Sequence, residues 1–343
     1  MLFSLEWLAQ YVDLPDDTAE LARRLTAAGL AVELVEETEH GTVLDIDVTT
    51  NRVDAMNHLG VAREVAVLFG GALREPEAEP AEAAEETASA VRIEIDEPAL
   101  CTRYAARVIR GVTVGPSPDW LARRLRAIGQ RPVNNVVDVT NYVLWETGQP
   151  LHGFDLSKIG GATVRVRCAR EGERLVTLDG QERELQPDML VIADASRPVG
   201  LAGVMGGEAS EVGPGTTDVL LESAWFDPRS VRATAKTLGM HTDASHRFER
   251  GADPELQARA AARAAALIAE VAGGTVLADA VDVLAPTHEE RHRRPAVALD
   301  LDRLDAFGGV AIPEGRAAEW LEGLGFAVEQ DGPRHLRVTV PSW

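Results

Sequence analysis

DVLLESAWF, residues 218–226, is a mostly apolar stretch that predicts a β-strand, with Glu222 between apolar residues. Two further runs, ATVRVRCA (162–169) and MLVIADA (189–195), have the same strand character. Before and after these strands, NVVDVTNYVLWETG (135–148) and the alanine-rich segment 252–274 predict helices. Strands and helices are therefore mixed without regular alternation, which predicts the α+β class.

The composition is ordinary for a chain that folds in water. The 343 residues are 45% hydrophobic and 26% charged, and this length suggests two or three domains. No stretch reaches the ~18 consecutive apolar residues of a membrane span, and the N-terminus lacks the basic region of a signal peptide. Cys101 and Cys168 form neither a CxxC pair nor a disulfide framework. We therefore expect a cytoplasmic protein without a membrane partner.

The net charge of −21 is unevenly distributed along the chain. Within residues 101–250 the acidic and basic residues nearly balance. The excess of acidic residues lies in the rest of the chain. Most of the basic residues are arginines, whose planar guanidinium suits bidentate phosphate contact. The middle of the chain could therefore contact RNA, although a solvated surface of mixed charge explains the same pattern.

Two changes in composition divide the chain. EPEAEPAEAAEETASA (75–90) contains almost no bulky apolar residues and predicts an acidic linker, disordered or loosely helical. Proline and charge interrupt the apolar pattern again at 285–295. We therefore predict three units, at 1–74, 91–286 and 295–343.

The two outer units resemble each other. Residues 24–52 and 320–343 each contain a helix that ends at a glycine, Gly29 or Gly325, followed by Ala-Val-Glu, a polar turn and an alternating strand. We therefore expect two small related α+β units, winged-helix-like, around a central mixed α/β domain. The second copy stops at Trp343, so we expect it to be truncated and the chain to be a fragment.

HTDASHRFER (241–250) has the residue types of a catalytic or metal site, but not their geometry. Ser245 and His246 are adjacent and diverge on a helix or a strand, so they cannot form a Ser-His-Asp relay with Asp243. His241 and His246 lack the i,i+4 spacing that places two imidazoles on one helix face. Neither a hydrolase triad nor a metal site is predicted.

Four blocks in fixed order carry a specific resemblance: RPVNNVVDVTNYVLWETGQPLHGFD (131–155), GLAGVMGGEASEV (200–212), LLESAWFDPRSVR (220–232) and HTDASHRFERGADP (241–254). Together they closely resemble the β subunit of bacterial phenylalanyl-tRNA synthetase, and residues 45–66 resemble its N-terminal region. The resemblance covers nearly the whole chain outside the linker. It implies that 91–286 is a tRNA-editing domain, which hydrolyses tyrosine wrongly attached to tRNA(Phe).

The resemblance also implies which residues form the editing site. Matching motif to motif, the catalytic residues are His152, Glu222 and Thr242. The substrate-binding residues are Asn141, Pro150, Gly206 and Ala244, and no metal ligand is implied.

A buried carboxylate at position 222 could distinguish tyrosine from phenylalanine. Tyrosine differs from phenylalanine by one hydroxyl, which an apolar pocket rejects by only a factor of ~100. A buried carboxylate could accept that hydroxyl and would be left unpaired by phenylalanine, at a cost of about 1–3 kcal/mol. A salt bridge at a strand end is the alternative interpretation of Glu222. His152 would place the ester or its attacking water, and Arg247 and Arg250 would brace the pocket through Asp243 or Glu249.

The sequence also departs from the family pattern. Only a short turn at 36–41 stands where full-length β subunits insert an oligonucleotide-binding-type domain, and the family's Mg²⁺-binding acidic cluster lies beyond the last residue. We therefore expect no cofactor for this chain; ATP and Mg²⁺ belong to the complete synthetase. The expected partners are tRNA(Phe) and the α subunit, in an α2β2 assembly. A non-catalytic RNA-binding scaffold and a stand-alone hydrolase remain alternatives to an editing fragment.

Overall fold

The computed structural model describes residues 1–343 and contains twelve α-helices and nineteen β-strands in five sheets. Helices and strands do not alternate regularly along the chain, and most strand pairs are antiparallel. The predicted α+β class is confirmed. None of the helices combines the length and the apolar composition that crossing a membrane requires.

The N-terminal unit is a three-stranded antiparallel sheet with three helices. Its elements are β1 (Leu2–Ser4), α1 (Leu5–Leu8), α2 (Thr18–Ala27), β2 (Ala31–Thr38), β3 (Gly41–Asp47) and α3 (His58–Phe69), with a 3-10 turn at Val53–Ala55. The strand order is β1-β3-β2. Helix α2 begins where the Asp17 carboxylate accepts hydrogen bonds from the amides of Ala19 and Glu20, which pairs two free donors of the first turn.

The middle unit contains thirteen of the strands and seven of the helices. The strands are β4 (Glu82–Glu86), β5 (Arg92–Ile95), β6 (Cys101–Arg110), β7 (Leu151–Asp155), β8 (Thr163–Cys168), β9 (Arg174–Val176), β10 (Glu182–Glu184), β11 (Leu190–Ala193), β12 (Pro198–Leu201), β13 (Met205–Gly206), β14 (Asp218–Phe226), β15 (Thr275–Ala278) and β16 (Val281–Leu284). The helices are α4 (Thr87–Ala90), α5 (Asp119–Ala127), α6 (Asn135–Thr147), α7 (Pro228–Leu238), α8 (Asp243–Phe248), α9 (Gln257–Ala272) and α10 (His288–Arg291).

Two sheets form the body of the middle unit. The larger has the order β4-β15-β6-β14-β7, with β16 also paired to β6, and the smaller has the order β13-β12-β11-β8-β5. Strand β14 is buried along almost its whole length because both of its faces are covered. Val219 and Leu221 share a core with α6 and α9, whereas Leu220 and Ala224 share a core with the smaller sheet. Since side chains alternate along a strand, Glu222 lies on the face toward the smaller sheet.

The predicted linker at 75–90 is wrong in its second half. Residues 82–86 form β4, an edge strand that pairs in parallel with β15. Its glutamates need no apolar partners, because Glu82 pairs with Arg107 and Glu85 with Arg110, both on β6. Pairing with β15 and ion pairs to β6, the next strand beyond β15, thus hold an acidic segment whose composition alone suggests disorder.

The C-terminal unit repeats the topology of the first. Its elements are β17 (Ala296–Asp300), α11 (Leu301–Gly308), α12 (Glu314–Gly323), β18 (Ala327–Gln330) and β19 (His335–Thr339), and its sheet order β17-β19-β18 again places the third strand in the middle. Gly29 and Gly325, which follow α2 and α12, have φ values of +97° and +89°, a region that favours glycine. The predicted relation between the outer units is confirmed.

The N-terminal unit and helices α5, α6 and α9 of the middle unit share one hydrophobic core. The Trp7 ring stacks on the Tyr142 ring of α6 at 4.3 Å between centroids and on the His58 ring at 3.9 Å. Helix α6 begins at the cap residue Asn134 and ends at Gly148, which has φ +88°, so the helix predicted at 135–148 is confirmed. A large apolar contact therefore fixes α6, which carries Asn141, against the N-terminal unit.

Candidate functional site

One cavity of about 270 Å³ lies between β7, β14, the smaller sheet and α8. An apolar cavity of about 150 Å³ is large enough to bind benzene, so this one can hold an aromatic side chain. Most of its wall is apolar, formed by Leu144, Leu151, Phe154, Leu178, Ile192, Leu201, Val204, Met205 and Phe248. The seven residues predicted as a site also line it: Asn141, Pro150, His152, Gly206, Glu222, Thr242 and Ala244.

Glu222 is a buried carboxyl with one oxygen in use. It is 8% exposed, and its Oε2 accepts a hydrogen bond from the Tyr104 hydroxyl at 2.7 Å. No protein group donates to Oε1, and the residue lines the cavity. Burial raises the pKa of Glu222 to about 7, against which the Tyr104 hydrogen bond acts. The salt-bridge alternative is excluded, because no cation pairs with this carboxyl.

His152 lies directly opposite Glu222 in the antiparallel pair of β7 and β14, so both side chains are on the same face of the sheet. Burial lowers the pKa of His152 to about 4, which keeps the imidazole neutral at pH 7. Its ring contacts Phe154 edge to face, with centroids 4.4 Å apart. The Nε2 atom is buried without a hydrogen-bond partner, a condition that in a native protein calls for an explanation.

Gly206 makes room for this imidazole. A Cβ atom at position 206 would lie 2.6 Å from Nε2 of His152 and 3.2 Å from Leu178. The glycine is therefore required by the histidine ring rather than by the backbone angle, because Gly206 is not among the glycines with positive φ. Gly203 and Gly207 approach protein groups too: a Cβ at 203 would meet Phe248, and a Cβ at 207 would meet a carbonyl of β12.

Thr242, which the sequence predicts to be catalytic, lines the cavity at the start of α8, and the catalytic role stays a prediction. Thr242 is the N-cap of α8, where its Oγ1 accepts from the Ser245 amide at 3.0 Å and donates to the Val204 carbonyl at 2.9 Å. The hydroxyl proton is thus already used. These bonds tie the start of α8 to the loop before β13 and close one wall of the cavity.

Helix α8 is held from its other side by Arg247. This buried guanidinium donates to the Asp243 carbonyl at 2.9 Å and to the Met56 carbonyl of the N-terminal unit at 3.1 Å, and it lies 4.5 Å above the Trp145 ring. Arg250 pairs with Glu249. The predicted pairs Arg247–Asp243 and Arg250–Glu249 are both present, and through Arg247 the N-terminal unit supports α8, which carries Ala244 of the cavity wall.

The remaining predicted residues shape the cavity without visible polar chemistry. Pro150 and Ala244 are apolar wall residues, and Asn141 reaches the cavity from α6. The Gln149 amide beside Pro150 is buried and donates to the carbonyls of Pro150 and Ala224 at 3.0 and 2.9 Å. The start of β7 is therefore anchored to β14, which keeps His152 in register with Glu222.

The two alternatives for residues 241–250 do not assemble. The Ser245 hydroxyl donates to the Thr242 carbonyl at 3.1 Å and does not bond His246. The rings of His241 and His246 are 5.5 Å apart, and no group of three or more His, Cys, Asp or Glu side chains is placed to hold a metal ion. Ser245 and His246 are therefore not arranged as the hydrogen-bonded pair of a catalytic triad.

Sequence reasoning missed Tyr104, whose hydroxyl is the only protein donor to Glu222. Tyr104 is on β6, two positions from Ala106, the residue that pairs with Glu222 across the strands. Only the register of β6 against β14 brings the two side chains together. The alternation of CTRYAARVI could have indicated the strand, but not its partner.

The ionisation of Glu222 leads to a prediction for stability. The folded state keeps the proton up to about pH 7, whereas the ordinary pKa is 4.5, so the folded form binds more protons between these values. Stability from this group is complete below pH 4.5 and is lost as the pH rises to about 7. Relative to Glu222→Gln, we expect the wild type to lose about 3 kcal/mol of unfolding free energy between pH 4.5 and 8. Urea unfolding of both proteins measures their unfolding free energies at each pH. A difference between the two free energies that does not change with pH would contradict the prediction.

Comparison with known proteins places the chain in a class. The profile of the family described as B3/4 domain matches residues 100–273, about half of the chain and nearly all of the middle unit. A solved structure of an N-terminal fragment of the phenylalanyl-tRNA synthetase β subunit from Pyrococcus horikoshii has the same fold, with a TM-score of 0.51 at 14% identity, over 100% of this chain and 93% of that one.

The similarity to individual sequences is more specific. The chain is 49% identical over 301 residues to the phenylalanine–tRNA ligase beta subunit of Anaeromyxobacter dehalogenans, which covers 88% of the chain and 37% of that protein. It is 43% identical over 345 residues to the same subunit of Rhodopirellula baltica, over 100% of the chain and 50% of that protein. The chain is a B3/4-domain protein that belongs to the phenylalanine–tRNA ligase beta-subunit family. It spans about a third to a half of the length of these relatives.

Proposed function

We propose that the cavity binds the tyrosyl group of mischarged tRNA(Phe) and that the chain hydrolyses the ester that links them. The observation that carries the proposal is Oε1 of Glu222, a buried acceptor without a protein donor in a mostly apolar cavity. The names of the related subunits support the choice of tRNA(Phe) as the carrier.

Glu222 would select tyrosine over phenylalanine. The tyrosyl hydroxyl would donate to Oε1 while the ring packs on the apolar wall, which satisfies both partners. A phenylalanyl group would bury the same wall but leave the carboxylate oxygen dehydrated and unpaired. That loss corresponds to about 1.5–3 kcal/mol for a hydrogen bond to a charged group, or roughly 10- to 100-fold in rate.

Water is the nucleophile that this site favours. Ser245 is committed to the helix cap and Cys101 is buried, with the pKa of its thiol raised by that burial. A water oxygen would attack the ester carbonyl carbon, and the bond from that carbon to the ribose oxygen would break. The proton lost by water would pass to the leaving ribose oxygen, releasing free tyrosine and uncharged tRNA.

His152 would position this water and carry the proton. The imidazole is neutral at pH 7 because burial lowers its pKa to about 4, so one ring nitrogen can accept a proton and the other can donate one. Because a general base works best when its pKa lies near the operating pH, His152 would be a weak proton acceptor, and its main contribution would be to position the water by a hydrogen bond. Substrate in the cavity would also supply the hydrogen bond that Nε2 lacks.

The larger context is part of the same proposal. We place the chain with tRNA(Phe) and with the α subunit of a complete ligase, where ATP and Mg²⁺ would serve aminoacylation. The editing step described above needs neither of them. It uses only side chains that line this cavity.

Deacylation of tyrosyl-tRNA(Phe) by the full 343-residue chain tests the proposal. We expect release of tyrosine well above the protein-free rate, and a loss of about 100-fold in His152→Ala, in line with the 10²–10⁴-fold usually supplied by a proton-transferring side chain. Arg232→Ala, on the exposed face of α7, should retain the wild-type rate. A wild-type rate equal to that of the protein-free control would refute the function.

A further inference from the structure

Tyr104 and Glu222 form an isolated buried pair. Tyr104 is fully buried on β6, and its hydroxyl makes one hydrogen bond, to Oε2 of Glu222 at 2.7 Å. In the antiparallel register Tyr104 pairs with Ala224 and Glu222 with Ala106, so the two side chains are diagonal neighbours on one face of the sheet. No backbone group or cation competes for either partner.

The direction of this hydrogen bond is determined by chemistry. An ionised carboxylate can only accept, so the phenol donates. Burial and the nearby carboxylate raise the pKa of Tyr104 well above its ordinary value, which keeps the proton on the phenol. Oε2 is therefore occupied, and Oε1 is left as the acceptor that the cavity presents.

Protonation of Glu222 would change Oε1 from a hydrogen-bond acceptor to a hydrogen-bond donor. Oε2 accepts from Tyr104 and so takes the carbonyl role, which favours placing the acid proton on Oε1. Oε1 would then donate instead of accept. The groups that face this carboxyl are Tyr104 and Cys101 from β6, His152 from β7 and, on the far wall, Asp243 from α8.

We infer that Tyr104 is a positioning residue that determines substrate specificity: by holding Oε2 of Glu222, it presents Oε1 to the cavity as an acceptor for a phenol hydroxyl. The inference rests on the proposed function and extends it to a residue outside the cavity wall. It assigns the selection of tyrosine to a pair of side chains rather than to the glutamate alone.

Tyr104→Phe tests this inference, because it removes the hydroxyl and keeps the ring. In deacylation assays with the full chain, we expect the tyrosine-to-phenylalanine rate ratio to fall about tenfold, with the phenylalanyl rate within twofold of wild type. The pH midpoint of tyrosyl hydrolysis should move about one pH unit higher, since the carboxylate loses a donor. Tyr142→Phe, a buried tyrosine of the other core, should change neither quantity.

An unchanged tyrosine-to-phenylalanine rate ratio in Tyr104→Phe would overturn the inference. This holds whether neither rate changes or both fall equally, as they would if Tyr104 were purely structural. A ¹³C NMR titration of the Glu222 carboxyl separates this failure from failure of the function. If the wild type hydrolyses neither ester, the function is refuted, and identical Glu222 midpoints in wild type and Tyr104→Phe would still refute the role of Tyr104.

Discussion

Glu222→Ala is expected to remove most of the preference for tyrosyl over phenylalanyl ester that we propose for this chain. The variant takes away Oε1, which no protein group satisfies, and also the charge that phenylalanine would leave unpaired. Tyrosyl hydrolysis should therefore slow while phenylalanyl hydrolysis becomes faster. We expect the ratio of the two rates to fall by roughly 10- to 100-fold, equivalent to about 1.5–3 kcal/mol.

The deacylation rates of tyrosyl-tRNA(Phe), which is mischarged, and phenylalanyl-tRNA(Phe), which is correctly charged, give this ratio directly. Glu208→Ala is the matched control, because Glu208 is exposed on the 3-10 turn after β13 and does not line the cavity. It should keep the wild-type ratio. Equal ratios in Glu222→Ala and wild type would remove Glu222 from substrate selection and leave it a buried structural carboxyl.

Gly206→Ala is expected to have an equally large effect through a different cause. The added methyl group would lie 2.6 Å from Nε2 of His152, so the imidazole must move out of its place opposite Glu222. Misplacing a catalytic group by about 1 Å can cost 10²-fold, and we expect tyrosyl hydrolysis to fall by about 100-fold. The backbone conformation at 206 accepts alanine, so strain in φ does not contribute.

Gly213→Ala is the matched control, because a methyl group there meets no atom within 4 Å and the residue does not have a positive φ. Thermal unfolding separates displacement of the ring from general instability. The double variant Gly206→Ala, His152→Ala should recover thermal stability, since the clash is gone, but should remain inactive. Wild-type activity in Gly206→Ala would contradict the assigned position of His152.

Much of this site could be predicted from sequence because its residues lie in four contiguous motifs. Residues as far apart as 141 and 244 line one cavity, and local pattern also indicated the strand that carries Glu222 and the helix that carries Asn141. The assignment of chemical roles to these residues stays a prediction. The fold limits which residues could carry out the chemistry, because the only carboxyl and imidazole that face each other across β7 and β14 are Glu222 and His152.

What the sequence could not predict depends on contacts between distant strands. Strand β4 has the composition of a linker, and it is held by arginines twenty-five residues later on β6. Tyr104 becomes part of the site only through the register of β6 against β14. Thr242 matches a motif residue, but its hydroxyl serves the α8 cap and the Val204 carbonyl. Register and hydrogen-bond partners are properties of the folded chain, which local pattern does not specify.

The rate ratio of the unmodified chain tests the central claim most directly. That claim is that a buried carboxyl oxygen in a mostly apolar cavity stabilises a bound phenol by accepting a hydrogen bond from its hydroxyl. A bound ring without the hydroxyl leaves this oxygen unpaired and is less stable. Single-turnover deacylation of tyrosyl- and phenylalanyl-tRNA(Phe) at pH 8, where Glu222 is ionised, should favour tyrosine by about 10-fold or more. Hydrolysis of both esters at the same rate would contradict the account.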